Sequence, residues 1–194
     1  MSKHTSATER GRFLQRFIRR DDGAVAIEFA FIFPALIAFT IGILEFGLIL
    51  FDFHRASEAT RRAGRLAIIQ DPLASLDTLR TTNLAIDCTA TSGPVVACTV
   101  TVDGNANANF DAMLDAMQAV FPDILATNVQ VGYVASGIDN VNNAEVVTAL
   151  VTVSLTGVTH SFVALGIIPG VPSSMTFPAF STSVLRATEV ITPP

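Results

Sequence analysis

The chain has 194 residues, half of them hydrophobic and only 15% charged, with a formal net charge of −5 and a mean hydropathy of +0.51. That length accommodates one membrane anchor and one modest domain of about 100–120 residues. An acidic bulk with only Arg80 and Arg186 beyond residue 65 argues against nucleic-acid binding. The absence of Gly-x-Ser-x-Gly, phosphate-loop and His-Glu-x-x-His motifs leaves no residues on which to build an enzyme.

Residues 1–23 form a basic leader. Lys3, Arg10, Arg12, Arg16, Arg19 and Arg20 face only Glu9, Asp21 and Asp22 there, whereas residues 66–194 carry ten acids against two arginines. This asymmetry places the leader in the cytoplasm and the acidic bulk outside it. The leader is no ordinary secretory signal, because its apolar run is too long and lacks an Ala-x-Ala end.

The apolar run reaches from Ala24 to Phe51, 28 residues where about 20 suffice to cross a bilayer. Pro34 within it predicts a bend that membrane helices tolerate. Glu28 is its anomaly. An intramembrane carboxylate costs roughly 2.5–3.5 kcal/mol on insertion scales and so requires a partner. Cleavage after Gly23 would supply one, by freeing an α-amino group on Ala24 about one helical turn from Glu28. The alternative is an uncleaved signal anchor whose Glu28 snorkels to the interface, carrying an extracytoplasmic binding or sensor domain. Glu45, near the far end of the run, is expected to reach the interface more easily than Glu28 and to tolerate loss of its charge better.

Past the membrane, Phe46, Ile49, Phe53, Ala56, Thr60, Ala63 and Ala67 alternate at spacings of three and four, which continues one helix along one seam. Asp71-Pro72 ends it. A helix over residues 24–69 would measure about 69 Å. Small residues on the seam allow close approach, either of a neighbouring subunit or of the chain's own domain. Arg55, Arg61, Arg62 and Arg65 read as a solvated face, or as contacts to subunits or lipid phosphates.

The Gly23-Ala24 junction with Glu28 and Phe29 resembles a prepilin processing site. The wider pattern comprises Gly23 to Phe29, Pro34, Glu45-Phe46-Gly47 and Ala59-Thr60-Arg61-Arg62-Ala63-Gly64-Arg65. It resembles the TadE-like pseudopilins of the tight-adherence (Flp) pilus system over about residues 20–68. Phe29 departs from the tyrosine usual in the major pilins of that system, which favours the pseudopilin role. The resemblance implies a non-enzymatic, single-pass inner-membrane subunit of pilus assembly, cleaved between Gly23 and Ala24 and paired in assembly through Glu28 and Phe29. Its implied partners are the membrane, a prepilin peptidase, an assembly platform, the major pilin and sister pseudopilins. No cofactor, metal or small-molecule substrate is implied.

Residues 70–194 read as an extracytoplasmic α+β domain, with an antiparallel sheet and one packed helix. Val95 to Val102 predicts a strand. Phe110, Met113, Leu114, Met117, Val120 and Phe121 recur at helical spacing, with Asn109 as N-cap and Pro122 as stop. Val129, Val131 and Tyr133 alternate, as do Val147, Ala149, Val151, Val153 and Leu155 opposite Thr148, Thr152 and Ser154. Residues 167–172 predict a loop, and Met175 to Glu189 a strand pair or a bent strand with Pro178 at an edge. Cys88 and Cys98 flank the turn residues Ser92-Gly93-Pro94, so in an exported chain they are expected to form a disulfide across a short hairpin. Asp103, Asn105, Asn107, Asn109 and Asp111 place an oxygen at every second position, as a calcium loop does. Ala108 and Leu114 break that pattern, leaving an Asn-rich helix start.

Overall fold

The structure is a computed structural model that describes residues 21–82, 85–93, 95–141, 144–167 and 170–190. The basic leader up to Arg20, Pro94 of the predicted turn and residues 168–169 of the predicted loop lie outside them, as does the side chain of Val147.

The long helix α1 spans Asp21–Ile69 with Pro34 inside it. The chain divides into two compact units, residues 1–47 and 48–194. In the first unit the helix is clothed in large apolar side chains that face outward: Phe31, Phe39 and Ile43 are 79%, 75% and 70% exposed. Its most apolar stretch has a mean hydropathy of 2.2 and none of it is buried in the protein. Water does not stabilise such a surface, but hydrocarbon does. The helix is long and apolar enough to cross a membrane.

The second unit is built on one antiparallel sheet. Its strands are β1 (Ile86–Ser92), β2 (Val95–Cys98), β3 (Val129–Val141), β4 (Ala144–Leu155) and β7 (Phe180–Val190), in the order β2-β1-β3-β4-β7. A separate two-stranded sheet pairs β5 (Thr159–Ser161) with β6 (Ser174–Thr176). Two further helices are α2 (Asp77–Thr82) and α3 (Ala106–Gln118).

The alternation seen in the sequence sets the faces. Val129, Val131, Tyr133, Ala149, Val151, Val153 and Leu155 are buried on one side, while Thr152 and Ser183 hydrogen-bond at 2.8 Å on the other. From α3, Phe110, Met113, Leu114 and Met117 cover the buried face. So does α1 beyond Leu48, which buries Ala56, Ala59, Thr60, Ala63, Gly64 and Ala67. Gly64 lies against β7, where a Cβ would sit 3.2 Å from Thr182 Cγ2 and 3.4 Å from Val184 Cγ2. From Ala56 onward the predicted seam therefore packs on the chain's own sheet, whereas Phe46 and Phe53 of the same seam are exposed, and Arg61, Arg62 and Arg65 face outward.

The C-terminal end of α1 is tied down by long-range contacts. The Arg186 guanidinium donates to the carbonyls of Ala67 (2.9 Å) and Gln70, the groups a helix end leaves unpaired. Just beyond, the Leu73 N–H donates to the Tyr133 hydroxyl at 3.1 Å. Burial pushes the Tyr133 pKa up, against the opposing pull of the Leu73 hydrogen bond and the Arg186 charge.

Cys88 and Cys98 are direct cross-strand partners on β1 and β2 and form the expected disulfide. Gly93 takes the turn with φ of +56°, a conformation glycine adopts without steric cost.

Three predicted boundaries shift. The strand from Val95 stops at Cys98, because residues 99–103 leave the sheet to meet the segment after α1: Val102 bridges Ala74, and the Asp103 N–H donates to Leu73 O. The helix predicted from Asn109 starts at Ala106 with Asn105 before it, and Asn109 instead donates to Asp71 O at 3.0 Å. The C-terminal strand pair is two strands in different sheets, with Pro178 between β6 and β7.

Gly64→Leu is expected to lower stability by about 1–3 kcal/mol through overpacking, read as a lower Tm of the full chain. An unchanged Tm would mean that α1 does not seat on β7. Tyr133 gives a pH signature. Its folded pKa is raised, so its contribution is complete below about pH 10, the ordinary tyrosine value, and is lost as pH rises, since the unfolded chain ionises first. Tyr133→Phe should flatten that alkaline fall in stability. Replacing Cys88 and Cys98 together by Ser should cost about 2–4 kcal/mol. Alkylation of protein taken from the membrane should find both thiols only after reduction.

Candidate functional site

The residues singled out at the N-terminus share the first turns of α1. Gly23 and Ala24 are already helical, and Glu28 follows Ala24 by four positions, about 6 Å along the axis. Glu28 is exposed and makes no hydrogen bond or ion pair among the described residues. Phe29 is 60% exposed and stacks on Phe33 at 5.4 Å, which fixes the ring along the helix surface. Carboxylate and ring thus stand together on a part of the helix left exposed by the described residues.

Glu45 departs from expectation. It is only 2% exposed, so it is not the freely accessible carboxylate its sequence position suggested. Burial of a carboxylate depends on specific partners, and loss of its charge is not a neutral change there.

A second cluster, which sequence reasoning missed, lies in the unit from residue 48 onward. Asp52 of α1 accepts a 2.7 Å hydrogen bond from His160 Nδ1 on β5, 108 residues away. A carboxylate has no proton to give, so Nδ1 carries the hydrogen. His160 is 6% exposed and stands edge-on to Phe162. Arg55 lies 3.9 Å from Asp52, donates from Nε to Val120 O at 2.6 Å and rests over the rings of Phe51 and Phe121. Beside the Asp52–His160 pair is a cavity of about 410 Å³, also lined by Asp123, Asn128 and the 157–161 segment. In the sequence the only trace was a lone histidine, and no motif spans so long a separation.

The alternating oxygen side chains of residues 103–111 make backbone contacts. Asp103 accepts from Asn105 N at 3.1 Å, Asn107 from Val96 N at 2.9 Å, and Asn109 donates to Asp71 O. These bonds pin the start of α3 to β2 and to the exit of α1. Among the described residues no group of three His, Cys, Asp or Glu is placed to hold a metal ion.

No curated protein and no solved structure matches the chain. A family model does: residues 23–65 match that of TadE-like protein. The match begins at the glycine of the candidate cleavage junction and ends in the arginine-bearing turn of α1 that seats on β7. Over Gly23 to Arg65 the chain is similar to the TadE-like family.

Proposed function

We propose that the chain is a pseudopilin-like, membrane-anchored assembly subunit of a tight-adherence pilus. The TadE-like match over residues 23–65 carries this reading, because it includes the apolar stretch of helix that the described residues leave uncovered. In the proposal a prepilin peptidase cuts between Gly23 and Ala24. The new Ala24 amine, on this or a neighbouring subunit, then pairs with Glu28. The role is structural and not enzymatic: an anchored helix joins neighbouring helices, and its domain stands outside the cytoplasm. The major pilin, sister pseudopilins and the assembly platform are the proposed partners.

Topology follows from two independent supports. The leader carries the positive charge, and the disulfide needs an oxidising compartment for residues 70–194. An inner-membrane anchor with a cytoplasmic N-terminus satisfies both.

Two measurements test the proposal. The mature N-terminus is expected to be Ala24, and a bulky residue at Gly23 should accumulate uncut precursor. A chain still starting at Met1 beside an active prepilin peptidase would falsify processing. Glu28→Gln should leave the chain cut and inserted yet impair pilus formation. An uncompensated charge in a dry setting is worth several kcal/mol, whereas an exposed pair is worth about 0–1. Glu58 is half exposed and pairs with Arg62 at 3.7 Å, so Glu58→Gln is the neutral control that Glu45→Gln cannot be. Normal assembly with Glu28→Gln would show that the amine pairing is not the assembly contact.

A further inference from the structure

The loop of the β5–β6 hairpin has an unusual composition for a connecting segment. From Val163 to Pro172 it carries no polar side chain, and from Val146 to Leu185 the chain has no Asp, Glu, Lys or Arg. Connections that run through water are rich in Ser, Thr, Asn and Asp, whose side chains bond the turning backbone. This one instead exposes Val163 at 73% and Val171 at 37%. Single aliphatic side chains on a surface are ordinary, but a loop apolar throughout is not.

The place of the hairpin supplies the second observation. Its loop is closed at the base by the Phe162 N–H, which donates to Ser173 O at 2.9 Å. Beneath the loop, the hairpin is fastened to one turn of α1. His160 donates to Asp52 at 2.7 Å, and the Phe177 ring stands edge-on to Phe53 with 6.1 Å between centroids. β7 runs beside α1 from Phe180, at Phe53, to Arg186, at Ala67. The hairpin is therefore attached at the end of this stretch from which the chain continues into its apolar run. There α1 itself exposes Leu48, Leu50 and Phe51.

The run from Ala24 to Phe51 has 28 residues and rises about 42 Å as a helix. Hydrocarbon accounts for about 30 Å of a bilayer, and both headgroup layers bring it to about 40–45 Å. A span of that length leaves Phe51 to Phe53 in a headgroup layer, and the hairpin is held at the same level. We propose that the β5–β6 loop is a second membrane contact, which lays Val163 and Val171 into the interface of the bilayer that α1 crosses. The ligand is a lipid surface. Apolar side chains gain by leaving water there, and the loop has no charge to desolvate. Asp52 and His160 are positioning residues that keep the hairpin at the turn where α1 leaves lipid. Two attachments fix the rotation of the domain about the α1 axis, which a single helix leaves free. The inference rests on the membrane anchoring of α1 proposed above and is independent of cleavage at Gly23.

The chain contains no tryptophan, so single-Trp variants report one site each. The full chain is placed in nanodiscs of phosphatidylcholine brominated on its acyl chains near the headgroup. Phe39→Trp, within the apolar run and 75% exposed, reports the anchor. Ile69→Trp, 76% exposed and about 24 Å further along α1 than Phe53, reports water. Val163→Trp is expected to emit to the blue of Ile69→Trp, to lose several-fold more emission to the brominated lipid and to resist aqueous acrylamide. Val171→Trp repeats the reading across the loop, should Val163→Trp fail to fold. Loop tryptophans quenched by acrylamide as readily as Ile69→Trp, beside a lipid-quenched Phe39→Trp, would overturn the inference and leave the anchor standing. A Phe39→Trp that brominated lipid does not quench would overturn the anchor and the loop contact together. Blue emission from the loop without lipid quenching would assign it to a protein neighbour and overturn the lipid assignment.

Discussion

The domain depends on how closely α1 can lie on its sheet. Between Ala56 and Ala67 every residue facing inward is small: Ala56, Ala59, Thr60, Ala63, Gly64 and Ala67. A leucine seam would hold the helix axis further off, with its own side chains filling the gap. With glycine and alanine the backbone itself approaches β7, and Thr182 and Val184 touch the helix at Gly64. That proximity lets short polar side chains bridge the two elements, as Thr182 does to Thr60 at 3.2 Å. It also brings Arg186 within reach of the last helical carbonyls. At the other end of this stretch Asp52 holds His160. Polar contacts at both ends thus fix a helix whose seam buries little apolar area per residue.

One continuous helix obeys two opposite rules along its length. Up to Phe53 its side chains are mostly apolar and exposed, with Glu45 a buried exception; from Ala56 to Ala67 they are small where they face the sheet, and Arg61, Arg62 and Arg65 face outward. Each rule suits its solvent. Lipid rewards apolar bulk without requiring a packed partner, whereas a water-facing domain requires its helix to bury one face. Glu28, an exposed carboxylate, is an exception to the first rule. Arg55 obeys the second in an unusual way, lying between the Phe51 and Phe121 rings with its Nε on Val120 O.

What could be read in the sequence was local or periodic. The seam of α1, the alternation of β3 and β4, the helix around Met113 and the disulfide across Gly93 all follow from spacings within about a dozen residues. What could not be read rests on distant partners. The strand from Val95 ends early because residues 99–103 find Leu73 and Ala74. Asn109 is a tether to Asp71 and not a cap, a choice that only the neighbouring α1 exit decides. Asp52 and His160 have no shared motif, and β5 is three residues long. The accessibility expected for Glu45 failed for a related reason: distance along the chain from a membrane boundary does not determine what covers a side chain.

The extent of the family match can be read in the same physical terms. A membrane anchor alone would need only residues up to about Phe51. The match runs to residue 65, through Ala59-Thr60-Arg61-Arg62-Ala63-Gly64-Arg65. In the structure that run has two faces. Ala59, Thr60, Ala63 and Gly64 are buried toward the sheet, and Arg61, Arg62 and Arg65 are exposed. The matched segment therefore encodes a lipid-compatible helix together with the close-packing surface on which the domain seats. The small residues answer to the sheet and leave the three arginines free of any part in the core. Whatever those arginines meet outside the chain can change without disturbing the fold beneath them.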